Sequence, residues 1–177
     1  MLKKHNRERL LELFFRNPTQ EDFQLRELSR ALKLAPVSVK AYLDELEKGK
    51  LIKKTAHRIS KYPLYQANRD LDYFKFLKRN NTLINIYESG LINFVYDSCA
   101  PDVIILFGSC SRGEDIEDSD MDIFIQSNRK NLNLSRYEEL LGRKINLFFE
   151  QSFINLSSEL KNNIINGVKL KGYLKIY

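Results

Sequence analysis

Apolar residues recur along this chain with two different periods, and the change of period divides it. Near the start, Leu10, Leu11, Phe14 and Phe15 share one helical face, which predicts a helix over 3–16 ended by Asn17-Pro18. Leu25, Leu28 and Leu32 predict a second helix over 24–33. A third begins at Pro36, a residue suited to a first helical position, turns Val39, Leu43 and Leu46 inward, and stops at Gly49. Two strand candidates follow, 51–56 and 62–67, separated by a basic loop with His57, Arg58 and Lys61. Residues 70–98 return to helical spacing through Leu71, Phe74, Leu77, Leu83, Ile84, Tyr87, Leu91, Ile92 and Val95, with interruptions expected at Asn80-Asn81 and Gly90.

Beyond residue 100 the pattern becomes that of strands. Val103 to Phe107 is an unbroken apolar run rich in β-branched residues, which predicts a buried strand. Gly108 and Ser109 break it, and Arg112-Gly113 continue a tight polar connection. Met121 to Ile125 reads as the next strand, flanked by acid: Asp120 and Asp122 fall on one face, Met121 and Ile123 on the other. A short helix is expected over 134–141 with Ser135 as its cap, then a strand over 144–149. An amphipathic helix over 152–166 and a closing strand in GVKLKGYLKIY complete the chain.

Charge supports the same division. Residues 1–69 hold 16 Lys and Arg against 8 Asp and Glu, whereas residues 70–177 hold 13 against 15. The net charge of +6 therefore comes from a basic front half, which suggests nucleic acid as its partner. At 177 residues, 43% of them hydrophobic, the chain is long enough for two small domains with real cores. No run approaches the length of a membrane span, and the N-terminus reads as no signal peptide, so a cytoplasmic location is expected. Cys99 and Cys110 suggest neither a disulfide framework nor a metal-ligand spacing.

The chemistry-bearing residues concentrate between 102 and 125. Two carboxylates on one strand face repel each other, and a hard divalent cation such as Mg²⁺ relieves that repulsion through oxygen ligation beside substrate phosphates. A Gly-Ser turn at a strand end allows close backbone approach and can cradle phosphate oxygens. Gly108-Ser109 and the Asp120/Asp122 pair are thus expected to form two walls of one triphosphate site. The other acids of this stretch, Glu114, Asp115, Glu117 and Asp118, are expected to be solvated loop residues.

The sequence Gly108-Ser109-Cys110-Ser111-Arg112-Gly113, followed by Ser119-Asp120-Met121-Asp122, resembles the DNA polymerase β-type nucleotidyltransferase superfamily, and within it the minimal nucleotidyltransferases. That resemblance implies Mg²⁺-dependent transfer of a nucleoside monophosphate from an NTP to a hydroxyl acceptor. One or two ions would be held by Asp120 and Asp122, the phosphates would be bound by Gly108 and Ser109, and Arg112 would offset their charge. The family usually supplies a third carboxylate from a later strand, where it can take the acceptor's proton. The matching position here is Asn146, an amide and no base, with Glu150 the nearest acid on that strand.

The stretch LRELSRALKLAPVSVKAYLDELEKGKLI, followed by two strands, resembles a winged helix-turn-helix. By that resemblance Ser38, Lys40 and Ala41 would face bases or phosphates of duplex DNA. Lys53, Lys54, Arg58 and Lys61 of the wing would contact its backbone. The expected fold class is α+β. A winged helix-turn-helix covers 1–69, and connecting helices plus a small α/β nucleotidyltransferase domain with a mixed sheet cover 70–177. Asn146 keeps a second reading open: a DNA-binding transcriptional regulator or antitoxin-like protein whose nucleotidyltransferase domain is degenerate and senses nucleotide. The expected partners are an NTP and double-stranded DNA, with no membrane; a separately encoded protein partner and a homodimer stay open.

Overall fold

The computed structural model describes residues 5–59 and 61–177, which divide between Lys78 and Arg79 into two compact units. In the first unit three helices, α1 (Asn6–Arg16), α2 (Leu25–Leu32) and α3 (Pro36–Lys48), enclose a core with Leu10, Phe14, Leu28, Val39 and Leu43 fully buried. Helix starts are satisfied from their own first turns: the Gln24 N–H donates to Glu27 Oε2 and the His5 N–H to Glu8 Oε2. Among the described residues, β1 (Phe23–Gln24), β2 (Ile52–Ala56) and β3 (Pro63–Ala67) form an antiparallel sheet in the order β1-β3-β2. The β2–β3 turn closes with the His57 N–H donating to Tyr62 O at 2.8 Å.

α4 runs unbroken over Asp72–Ser89, through the Asn80-Asn81 pair where an interruption was expected. Asparagine costs a helix only a few tenths of a kcal/mol per residue, which the apolar stripe of α4 readily offsets. The break comes at Gly90, whose φ of 79° lies in the left-handed region.

The second unit continues with α5 (Leu91–Cys99), β4 (Val103–Phe107), α6 (Gly108–Arg112), β5 (Met121–Ile125), α7 (Ser135–Leu141), β6 (Ile145–Phe149), α8 (Ser158–Ile165) and β7 (Val168–Gly172). Its sheet has the order β6-β5-β4-β7, with β5 and β6 parallel and the other pairs antiparallel. The protein is thus mixed α+β with a mixed sheet. Strand alternation sorts the sheet's side chains into two layers. Ile104, Leu106, Ile123, Ile125 and Ile145 pack with Ile86, Leu91, Ile92 and Val95 in one cluster. Val103, Ile105, Phe107 and Phe124 pack with Phe153 and Ile164 in another. Asp122 belongs to the second layer, opposite Phe107 and two residues before Phe124.

Two local expectations are corrected. Ser135 does not cap α7; Leu134 holds that position, and Asn133 Oδ1 accepts the Ser135 N–H at 3.1 Å. The helix expected over 152–166 is instead a single turn at Phe153–Asn155 followed by α8. Ser157 restarts it by accepting the Leu160 N–H, a capping role that favours a helix start over continuation.

Candidate active site

β4 ends at Phe107, and the chain turns at Gly108 with φ of 73°. A side chain there would meet two obstacles. Its backbone lies in the region that disfavours a Cβ, and that Cβ would stand 2.8 Å from Asp122 Oδ2. Glycine is therefore what lets the β4–α6 turn lie directly against the β5 aspartate. Ser111 Oγ donates to Gly108 O at 2.7 Å and fixes the turn from inside. Gly108→Ala is expected to cost about 1–2 kcal/mol and to displace the Asp122 carboxylate. Urea unfolding measures the first effect, and nucleotide affinity the second; a variant as stable as the wild type would refute the strain.

Asp120 and Asp122 flank Met121, whose side chain is buried in the opposite layer. Across the parallel pair, Asp122 lies beside Asn146. The Asn146 side-chain nitrogen donates to Asp120 Oδ2 at 3.1 Å and to Asp122 Oδ1 at 3.2 Å. One amide thus bridges two carboxylates, and their oxygens converge on a single point. Glu150 takes no part in this group: its Oε1 accepts from the Ser152 N–H at 3.0 Å and from the Asn155 amide at 3.4 Å. It lies four residues beyond Asn146, roughly 13 Å along the strand. Among the described residues, no group of three or more His, Cys, Asp or Glu is placed to hold a metal ion.

The connection leading to Asp120 is held by residues that the sequence pattern did not single out. Asp115, expected in solvent, is only 1% exposed and pairs with Arg143 Nη2 at 2.6 Å. Arg143 Nη1 donates to Ile116 O at 2.8 Å and to Ser119 O at 2.9 Å, the carbonyl just before Asp120. The Ile116 N–H donates to Ser119 Oγ, and Cys110 Sγ to Asp120 O. Burial makes Asp115 accept this partner, because an unpaired buried carboxylate is costly. The start of β6 is set in turn by Glu138 Oε1, which accepts the Ile145 N–H at 3.0 Å. No sequence signal marks Asp115 or Arg143, since they meet only through the fold.

The remaining expected residues are placed as follows. Ser109 follows Gly108 in the first turn of α6, and Arg112 ends the helix, its Nε donating to Glu114 Oε2 at 2.7 Å. Ser38, Lys40 and Ala41 are exposed on α3, away from buried Val39 and Leu43. Lys53, Lys54, Arg58 and Lys61 are exposed on β2 and the turn after it. Lys53 pairs with Asp70 at 3.0 Å, and that hydrogen bond holds the Asp70 carboxyl below the usual carboxylate range. Lys54 lies 4.0 Å from Glu47. No helix among the described residues is long and apolar enough to cross a membrane.

Two carboxylate oxygens converging beside a glycine turn suit a hard cation, since each is a charged oxygen donor. The Asn146 amide can turn its oxygen toward such an ion as readily as its nitrogen faces the carboxylates. The donor set therefore fits Mg²⁺ with two charged ligands and one neutral one. Residues 89–174 match the family model described as Polymerase beta, Nucleotidyltransferase, a stretch spanning every element from α5 to β7. The match supports a nucleotidyltransferase domain there and, with it, nucleotidyltransferase activity in general. No curated protein and no solved structure matches the chain.

Proposed function

We propose that this protein moves a nucleoside monophosphate from an NTP onto an acceptor oxygen, a hydroxyl in the reaction that the sequence resemblance implies. The supporting observation is the convergence of Asp120 Oδ2 and Asp122 Oδ1 beside Gly108, within the matched stretch. In the transfer, the acceptor oxygen bonds to the α-phosphorus as its proton passes to solvent water, and the bond to the β-phosphate oxygen breaks, releasing pyrophosphate. Polymerase β-type nucleotidyltransferases are generally divalent-metal dependent; Mg²⁺ held by Asp120 and Asp122, with Asn146 beside them, would neutralise charge on the reacting phosphates. Gly108 and Ser109 let the backbone approach the outer phosphates, and Arg112 exchanges Glu114 for phosphate as a counter-charge. The Asp115–Arg143 pair keeps Asp120 in place. Phosphoryl chemistry depends mostly on positioning and electrostatics, so an amide at position 146 is compatible with turnover.

The N-terminal unit in this reading is a winged helix-turn-helix that binds duplex DNA, and the protein works in the cytoplasm. The order of three helices and a β-hairpin supports it, as do the exposed Ser38, Lys40 and Ala41 on α3. The lysine ion pairs of β2 are exposed and weak, so phosphate can displace their carboxylates. Replacing Lys53, Lys54 and Arg58 by Ala is expected to lower the slope of log affinity against log salt by about 3, one unit per lost phosphate contact. An unchanged slope in a duplex-binding titration would place the DNA surface elsewhere.

A second reading has its own observation. Asn146 supplies no base and already donates to both aspartates, as suits a DNA-bound regulator or antitoxin-like protein that binds nucleotide without turnover. Pyrophosphate release and label transfer from each α-labelled NTP, with Mg²⁺ and cell extract as acceptor pool, decides between them. Label on one component, lost in the Asp120→Ala/Asp122→Ala protein, establishes the transferase. NTP binding without transfer establishes the regulator, and absence of both refutes the site.

A further inference from the structure

The sheet face that carries the aspartates carries one more group that the transfer chemistry leaves unused. β5 and β6 pair in parallel register, with Asp122 beside Asn146 and Phe124 beside Phe148. With a side-chain period of two, these four residues stand on one face. Phe124 is buried, whereas Phe148, on the edge strand, is 40% exposed. Its ring meets that of Phe107 edge-to-face, with centroids 5.3 Å apart and planes at 67°. Phe107 in turn lies opposite Asp122 and immediately precedes Gly108. The exposed ring is thus in edge-to-face contact with the residue that leads into the Gly108 turn.

We propose that Phe148 is the stacking surface for the nucleobase of the bound triphosphate. This rests on Gly108 and Asp120/Asp122 being its phosphate end. The order of strands sets the direction: Gly108 follows β4, Asp122 lies on β5, and Asn146 and Phe148 lie on β6. A triphosphate reaching from Gly108 to the aspartates points its nucleoside toward β6. Phe148 stands two residues beyond Asn146, roughly 7 Å along the strand, which leaves room for a ribose between phosphate and ring. A phenylalanine fixed by a neighbouring ring offers a π-face at little cost in side-chain entropy. Every nucleobase has a matching face, so the subsite accepts all four NTPs and favours the larger purines.

The chain contains no tryptophan, so Phe148→Trp introduces its sole indole fluorophore at the subsite. Mg²⁺ complexes of ATP, GTP, CTP and UTP serve as probes, with tripolyphosphate as the probe that lacks a base. Phe148→Leu keeps an apolar contact for Phe107 and removes the stack. Its NTP dissociation constants are expected to rise about 5- to 150-fold with tripolyphosphate affinity unchanged. Emission from Phe148→Trp is expected to change with NTP and not with tripolyphosphate. NTP affinity in Phe148→Leu equal to the wild type, equal losses for NTP and tripolyphosphate, or indole emission indifferent to saturating NTP each overturn the subsite. Should the wild type bind neither NTP nor tripolyphosphate, the triphosphate site itself is refuted and the subsite with it.

Discussion

Asp122→Asn is expected to lower nucleotidyl transfer by about 10³-fold while leaving the protein as stable as the wild type or slightly more so. The two effects have one electrostatic source. Asp120 and Asp122 point oxygens at a single place, bridged by one neutral amide nitrogen. That arrangement keeps two negative charges close together, a cost carried by the folded state. Converting one carboxylate to an amide of the same shape removes the repulsion, so the unfolding free energy stays level or gains up to about 1 kcal/mol. It also removes one of the charges that the proposed transfer directs at cation and phosphates, and groups of that kind contribute about 10²–10³-fold each. Asp122 has the further tie to Gly108, whose turn is shaped around its Oδ2. The check pairs pyrophosphate release with urea unfolding on the same sample. Transfer within about tenfold of the wild type would remove Asp122 from the site, and a large loss of stability would make its role structural.

Arg143→Ala is expected to cost about 3–5 kcal/mol, because it removes the charge that lies 2.6 Å from a buried carboxylate. Asp115 is 1% exposed and Arg143 is 13% exposed in its side chain, so solvent screens their 2.6 Å pair little. Against the 5–15 kcal/mol typical of a whole domain, that is a large fraction. The same substitution removes a donor from the carbonyls of Ile116 and Ser119, so the Asp120 loop loses one of its anchors and transfer falls as well. Urea unfolding gives the stability change. An Asp115→Asn/Arg143→Met protein, which leaves no unpaired charge, is expected to recover most of the loss. A single variant within about 0.5 kcal/mol of the wild type would show that the pair holds nothing.

Much of this architecture can be read along the chain. The unbroken apolar run 103–107, the alternation across 121–125 and the i, i+3, i+4 stripes of α1, α2 and α3 are properties of neighbouring residues. They therefore specify strands, helices and faces locally. That Asp120 and Asp122 share a side follows from spacing alone, whereas the third-carboxylate position of Asn146 is what the sequence resemblance implies. Where local signals competed, the outcome was less legible: Asn80-Asn81 did not stop α4, and Ser157 restarted a helix that apolar spacing alone would have run together.

What only the tertiary structure decided lies in contacts between residues far apart in sequence. Asp115 and Arg143 are 28 positions apart, and no periodicity links them; the parallel placement of β6 beside β5 brings them together. The same placement turns Asn146 from an isolated amide into the donor that bridges both aspartates, and it sets Phe148 on their face. Nothing in the composition of the acidic stretch separates Asp115, buried and paired, from its solvated neighbour Asp118. The physical reason is the same in each case. Local periodicity records which way a side chain faces its own strand or helix, whereas burial and partnership depend on what the rest of the chain brings against that face.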